Sequence, residues 1–353
     1  MRRGSARTRR PAIALPLAMF LALTLLAANA DAGPAEHRHK AGLPVAPRLQ
    51  WNSNFGYCGE TSFISAGMYF GQYTSQWTAR KLASPHVKQW HERSQLLLGV
   101  NDLAAARRMK LRASRYAGNR PRRLLVWAGR QILGGHVPII GVFNNVTRLG
   151  EPKSLADPVY DHIVPVVKFD SRRRLSLGFR YHPRDTLTLS DNGLYRHHGR
   201  RPFLYRYRFR AFPRSRRQAD ARHGPLYSLR AKPPNFGTSI LGVRDPGRDT
   251  VPVRLTSSAV GEGVENRARL RRPPRASRIE LTAHAKLYDP GLDYNVYMYR
   301  SFEDVPVRDF NANADAAVRH WYIPSQHIVH WRKTVTTRSD RTRVFRAVPA
   351  DAP

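Results

Sequence analysis

Asn52-Ser53-Asn54-Phe55-Gly56-Tyr57-Cys58-Gly59-Glu60-Thr61 carries the only cysteine of the 353-residue chain. The run that follows, Thr61 to Gln72, reads as a helix, with Phe63, Gly67 and Phe70 on one face at three- and four-residue spacing. Cys58 therefore falls at or just before the first turn, where orphan amide N–H groups and the positive end of the dipole favour a thiolate. Gly56 and Gly59 lie on either side and let backbone approach a substrate closely. The competing reading is a small buried hydrophobe, the commoner fate of a free cysteine.

The compartment weighs against that bland reading. Arg2, Arg3, Arg7, Arg9 and Arg10 precede an apolar run from Ala12 to Ala27, and Ala28-Asn29-Ala30 supplies a small-x-small cleavage site. Residues 1–30 thus read as a signal peptide, through the general or the twin-arginine route, to the periplasm or the medium. Pro16 interrupts the apolar run, which is short for a membrane span, and no other run approaches that length. The mature chain is expected to lack a transmembrane segment. With one cysteine it forms no internal disulfide, so an unpaired thiol outside the cell points to an intermolecular bridge or a reactive role.

The net charge is +35, or +30 once the five arginines of residues 1–30 are set aside. Such an excess attracts polyanions, and an anionic cell-surface polymer is an expected partner. Of the 60 basic residues only nine are lysine, and the arginines are spread along most of the chain, as a bias of genome composition would also produce. No zinc-finger spacing, RNA-recognition aromatic signature or basic zipper is present, so specific nucleic-acid binding is not expected.

Residues 31–49 read as a mobile lead-in, with His37 and His39 part of a processed terminus. A second helix is expected over Thr74–Ala83, stopped near Ser84-Pro85, and a third over Leu103–Lys110 with Asn101-Asp102 as its cap. His86 and His91 do not match a zinc-peptidase helix and are assigned to the surface. Leu111–Tyr116 reads as a strand, Pro121 as the first position of a helix ended by Gly134-Gly135, and His136–Phe143, Asp161–Phe169 and Thr186–Ser190 as strands. Pro165 implies an edge or a bulge. Arg206, Arg208 and Arg210 alternate with Tyr205, Tyr207 and Phe209 in a closing strand with a basic face. Helices first and strands after give an α+β domain over 50–213 with a mostly antiparallel sheet. Residues 214–240 read as a linker and 241–350 as an all-β sandwich of about seven strands.

A cysteine acyl-transfer site needs an imidazole to carry the proton, a group to orient it, and amide donors for the oxyanion. His162 begins a predicted strand 104 residues after Cys58. Asp191 closes the next strand, with Asn192 as a neutral alternative. The Cys58 N–H and a side-chain amide from Asn52 would hold the oxyanion, with Gln50 as a second candidate. Each also has an ordinary reading: a strand histidine is more often structural, and Asp191-Asn192-Gly193 is a turn signal.

Taken in that order, Cys58-Gly59 at a helix start, the strand begun by His162 and the polar residue closing the following strand resemble the papain-like cysteine peptidase superfamily. Within it, the spacing and the strand before His162 are most similar to the C39-like peptidases, relatives of those that process double-glycine bacteriocin leaders. The resemblance covers roughly residues 50–195. It implies a papain-like catalytic domain with Cys58 as nucleophile, His162 as base and Asp191 as orienting acid, acting on a peptide or protein substrate without cofactor or metal. The oxyanion glutamine of the family stands six residues before the cysteine, where this chain has Asn52, one methylene shorter. Two other readings fit the same residues: a transamidase or amidase acting on non-peptide substrates, and a non-catalytic binding protein for anionic cell-surface material.

Overall fold

The computed structural model describes residues 39–144, 159–193, 204–212, 227–230, 234–261, 269–287, 291–325 and 329–352. The expected signal peptide, His37 and most of the expected linker lie outside them. In chain order the elements are β1 (His39–Gly42), α1 (Cys58–Tyr69), β2 (Gln72–Tyr73), α2 (Gln76–Ala83), α3 (Asp102–Arg108), β3 (Leu111–Arg115), α4 (Pro121–Leu133), β4 (Val137–Asn144), β5 (His162–Ser171), β6 (Thr186–Ser190), β7 (Leu204–Arg208), β8 (Tyr227–Ser228) and β9 (Gly237–Val243). They are followed by β10 (Val253–Ser257), β11 (Arg278–Leu287), β12 (Tyr294–Tyr299), β13 (Arg319–Ile323), β14 (Val329–Arg338) and β15 (Arg343–Pro349). Every strand pairing among the described residues is antiparallel, so the class is mixed α+β and sheet-rich.

Helix α1 starts three residues earlier than its apolar spacing suggests, so Cys58 is its first residue. Gly59 through Met68 are all buried, and a helix enclosed on every side carries no polar stripe. Its two faces serve different cores. Phe63 and Ala66 pack with Leu96, Ala105, Val137 and Ile163, while Ile64 and Met68 pack with Val253, Leu281, Val296 and Phe345. Phe63 has no solvent exposure, so truncating it to alanine costs about 3–5 kcal/mol.

The main sheet runs β3-β9-β4-β5-β6-β7, with β1 also on β5 and β8 also on β4. Pro165 sits inside this sheet, not at its edge. It faces Ile139 of β4, and the pairing with β6 begins only at Val166 and shifts register between Val166 and Lys168. The missing donor is thus absorbed by a bulge. Strand β7 closes the sheet, alternating exposed Leu204, Arg206 and Arg208 with half-buried Tyr205 and Tyr207. Pro121 opens α4 and Gly134 caps it. Asn101 does not cap α3 through its side chain but receives the Leu97 N–H, while buried Asp102 holds Arg115 of β3 and the Thr238 hydroxyl of β9.

The C-terminal strands form a three-stranded sheet, β10-β11-β14, and a four-stranded one, β13-β12-β15-β2, around a shared core. Three features differ from the expected division of the chain: residues 39–49 of the expected mobile lead-in are built into the fold, with β1 paired to β5 and Val45 and Arg48 buried, and two boundaries shift. The boundary at 240/241 falls inside β9, which is hydrogen-bonded between β3 and β4 of the main sheet. Strand β2, from the N-terminal half, pairs with β15. The part of 214–240 that is described adds β8 and half of β9, and residues 39–353 make one compact unit. Among the described residues no helix is long and apolar enough to cross a membrane.

Candidate active site

The approach to Cys58 is built from three successive left-handed residues: Asn54 at φ 48°, Phe55 at 69° and Gly56 at 86°. For a residue with a Cβ that conformation costs about 1–2 kcal/mol, so something must hold it. Arg80 of α2 does. Its guanidinium, 1% exposed, donates to the carbonyls of Asn54 (2.8 Å) and Gly56, flanking Phe55 on both sides. Its Nε pairs with Glu60 in the first turn of α1 (2.6 Å), and its plane lies 3.6 Å over the Tyr57 ring. Glu60 also accepts the Leu96 N–H (3.0 Å). Leu96 explains the glycine after the cysteine as well: a Cβ on Gly59 would lie 2.0 Å from the Leu96 carbonyl oxygen. Asn54 completes the frame, accepting the Leu270 N–H (2.8 Å) and donating to the Leu270 carbonyl (3.0 Å).

The loop delivers a half-buried Cys58 to the start of α1, against the first residue of β5. His162 is 4% exposed. Its Nε2 stands 3.3 Å from Asp191 Oδ1, and the ring lies beside Cys58. Burial pulls the imidazole pKa down. The Asp191 carboxylate and the neighbouring Cys58 outweigh it and raise the pKa to about 10. The imidazole is therefore held protonated through the neutral range. Tyr227 of β8 stacks on the ring, centroids 5.8 Å apart, and keeps its plane fixed. Asp191 is held in turn by the Gly193 N–H (2.7 Å), the local bond of an Asx turn.

Asn192 does not face the imidazole. Its Nδ2 donates to the carbonyls of Cys58 (3.0 Å) and Ile163 (3.1 Å) and to Ser62 Oγ (2.9 Å), tying the helix start to β5. It therefore sets the spacing between sulfur and imidazole.

The two oxyanion candidates, Asn52 and Gln50, differ in exposure and in the contact that Gln50 makes. Asn52 is exposed. Gln50 is half-buried and its Oε1 accepts the Tyr57 N–H (2.9 Å), next to Cys58. Its backbone N–H donates to the Asn192 carbonyl (2.8 Å), so Gln50 is clamped between the loop and the Asp191 turn. The amide that accepts at Oε1 has its donor, Nε2, at the other end.

The structure thus brings Cys58, His162, Asp191 and Gln50 together, with Asn192 beneath them. Arg80, Glu60 and Tyr227 support the site without any signal in the sequence beyond residue type. His86 and His91 are exposed, and no group of three or more metal-ligating side chains converges among the described residues. Compared with known proteins, the chain matches no family model, no curated protein and no solved structure.

Proposed function

We propose that this chain is a cysteine hydrolase that cleaves amide bonds through Cys58, with a papain-like arrangement of helix start, histidine strand and acid, joined to a C-terminal β-sandwich. The observation that carries the proposal is that the only thiol stands at a helix start beside a buried imidazole, which meets a carboxylate at 3.3 Å. Export is part of the same reading, supported by the arginine-led apolar run of residues 1–30.

In the first half-reaction the Cys58 sulfur adds to the substrate carbonyl carbon, forming the S–C bond. Charge develops on the carbonyl oxygen, where the Cys58 N–H and Gln50 Nε2 are the donors at hand. The His162 imidazolium gives its proton to the amide nitrogen, the C–N bond breaks, and the amine leaves. Water then adds to the thioester with His162 as base. The acid leaves, the thiol is restored, and Asp191 keeps the ring oriented throughout.

Hydrolysis of an unfolded protein such as casein, followed by mass spectrometry of the products, tests this. New termini that appear with the natural chain and not with Cys58→Ala are the expected result. Products joined to an added amine in place of water would indicate transamidation. No product from either reaction would contradict the enzymatic reading.

A further inference from the structure

Residues 269–275, Arg269-Leu270-Arg271-Arg272-Pro273-Pro274-Arg275, line a groove of about 690 Å³. All four arginines are exposed, and none forms an ion pair among the described residues. Pro273 and Pro274 fix φ, so the segment presents its guanidinium groups from a stiff backbone. Arginines are common in this chain, and four more would mean little on their own. What distinguishes these is their attachment. Leu270 is 4% exposed and packs with Trp51 and Tyr57 under the nucleophile loop. Its N–H and carbonyl are both bonded to the side chain of Asn54, four residues before Cys58. Arg269 extends the basic surface over Trp90, 5.2 Å from the ring centroid, where Lys88 also lies at 5.7 Å.

We propose that segment 269–275 is the substrate-recognition site, and that its ligand is an acidic stretch of polypeptide. The guanidinium fork matches a carboxylate in two-point geometry, and four forks along seven residues, none ion-paired among the described residues, suit successive Asp or Glu side chains. A polypeptide is favoured over other polyanions because the segment is fastened to a loop whose chemistry acts on amide bonds. This rests on the cysteine-hydrolase reading, and it names the substrate class of that site.

The test uses the full chain carrying Cys58→Ala, so that binding is measured without turnover. A fluorescently labelled glutamate oligomer is titrated at low and moderate salt, with heparin and a DNA duplex as parallel probes. The expected result is salt-sensitive oligomer binding. Arg271→Glu with Arg272→Glu weakens it by about tenfold or more, whereas Arg278→Glu with Arg332→Glu, on the exposed faces of β11 and β14, changes it less than about twofold. In the active protein the first pair raises KM for a Glu-rich peptide and leaves kcat unchanged. Equal effects of the two pairs, no oligomer binding at low salt, or a loss confined to heparin or DNA would each overturn the assignment. The two proposals fail separately: binding that depends on Arg271 and Arg272 in a chain without hydrolytic activity would remove the enzyme, and hydrolysis indifferent to those arginines would remove the recognition site.

Discussion

His162 is the first residue of β5 and Asp191 the residue just past the end of β6, and their side chains meet at 3.3 Å. The two strands pair antiparallel, which puts the start of one beside the end of the other. Sheet direction alone thus joins groups 29 residues apart. The partnership has a pH signature. The folded-state pKa of His162 is raised from 6.5 to about 10, so its stabilising effect is fully present below about 6.5 and is lost as pH rises through about 10. Hydrolysis needs the same proton and is expected to fall on the same alkaline limb. Asp191→Asn removes two of the causes that raise the pKa, so the limb in kcat/KM should move to lower pH. An unmoved limb would show that Asp191 does not govern the imidazole.

Gln50 and Asn52 give opposite expectations. Gln50→Ala should lower kcat by about 10²–10³-fold, the usual cost of one oxyanion donor, with little change in melting temperature. Asn52→Ala, at an exposed position, should change kcat by less than about threefold. Steady-state kinetics on both variants decides between them, and the reverse ranking would return the role to Asn52.

Arg80 is a buried cation serving three carbonyls, one carboxylate and one ring. Arg80→Met leaves Glu60 buried without its partner, and denaturant unfolding should show a loss of about 3–5 kcal/mol. Arg80→Lys keeps the charge but not the fork. It should fold, with the nucleophile loop loosened and kcat reduced more than KM is raised. A Met variant as stable as the natural chain would mean that the loop holds its own shape.

Phe55 is 63% exposed and has φ 69°. Strain of that kind in an exposed aromatic beside a nucleophile suggests a contact with substrate. Phe55→Gly relieves the left-handed strain at some entropic cost, so the melting temperature should not fall. KM should rise by about fivefold or more, which corresponds to roughly 1 kcal/mol of lost contact. An unchanged KM would leave the strained phenylalanine without a role.

Much of the architecture was legible locally. Pro121, Thr186–Ser190 and Tyr294–Tyr299 mark element boundaries to the residue, because proline geometry and short alternating or apolar runs act over a few positions. Cys58, His162 and Asp191 could be picked out by residue type and by their places at element ends. What depended on long-range pairing was hidden. Gly237–Val243 is a central strand made largely of small residues and reads as a linker end, and Arg319–Ile323 is exposed over most of its length. Spacing in sequence places Asn52 nearer Cys58 than Gln50, but it does not show the path of the chain. Three left-handed residues fold the loop back, so the residue eight positions before Cys58 reaches its neighbour's N–H. Arg80 has no sequence feature that sets it apart from the other arginines; its burial does.

The dependence of Cys58 on His162 is open to a direct measurement: the rate of iodoacetamide alkylation at pH 6, followed by intact mass, in the natural chain and in His162→Ala. A paired thiolate should react at least about tenfold faster in the natural chain, since the thiolate is the nucleophile and the imidazolium sustains it. Equal rates in the two proteins, with both folded, would mean that sulfur and imidazole are neighbours without being partners, and the hydrolase reading would fall.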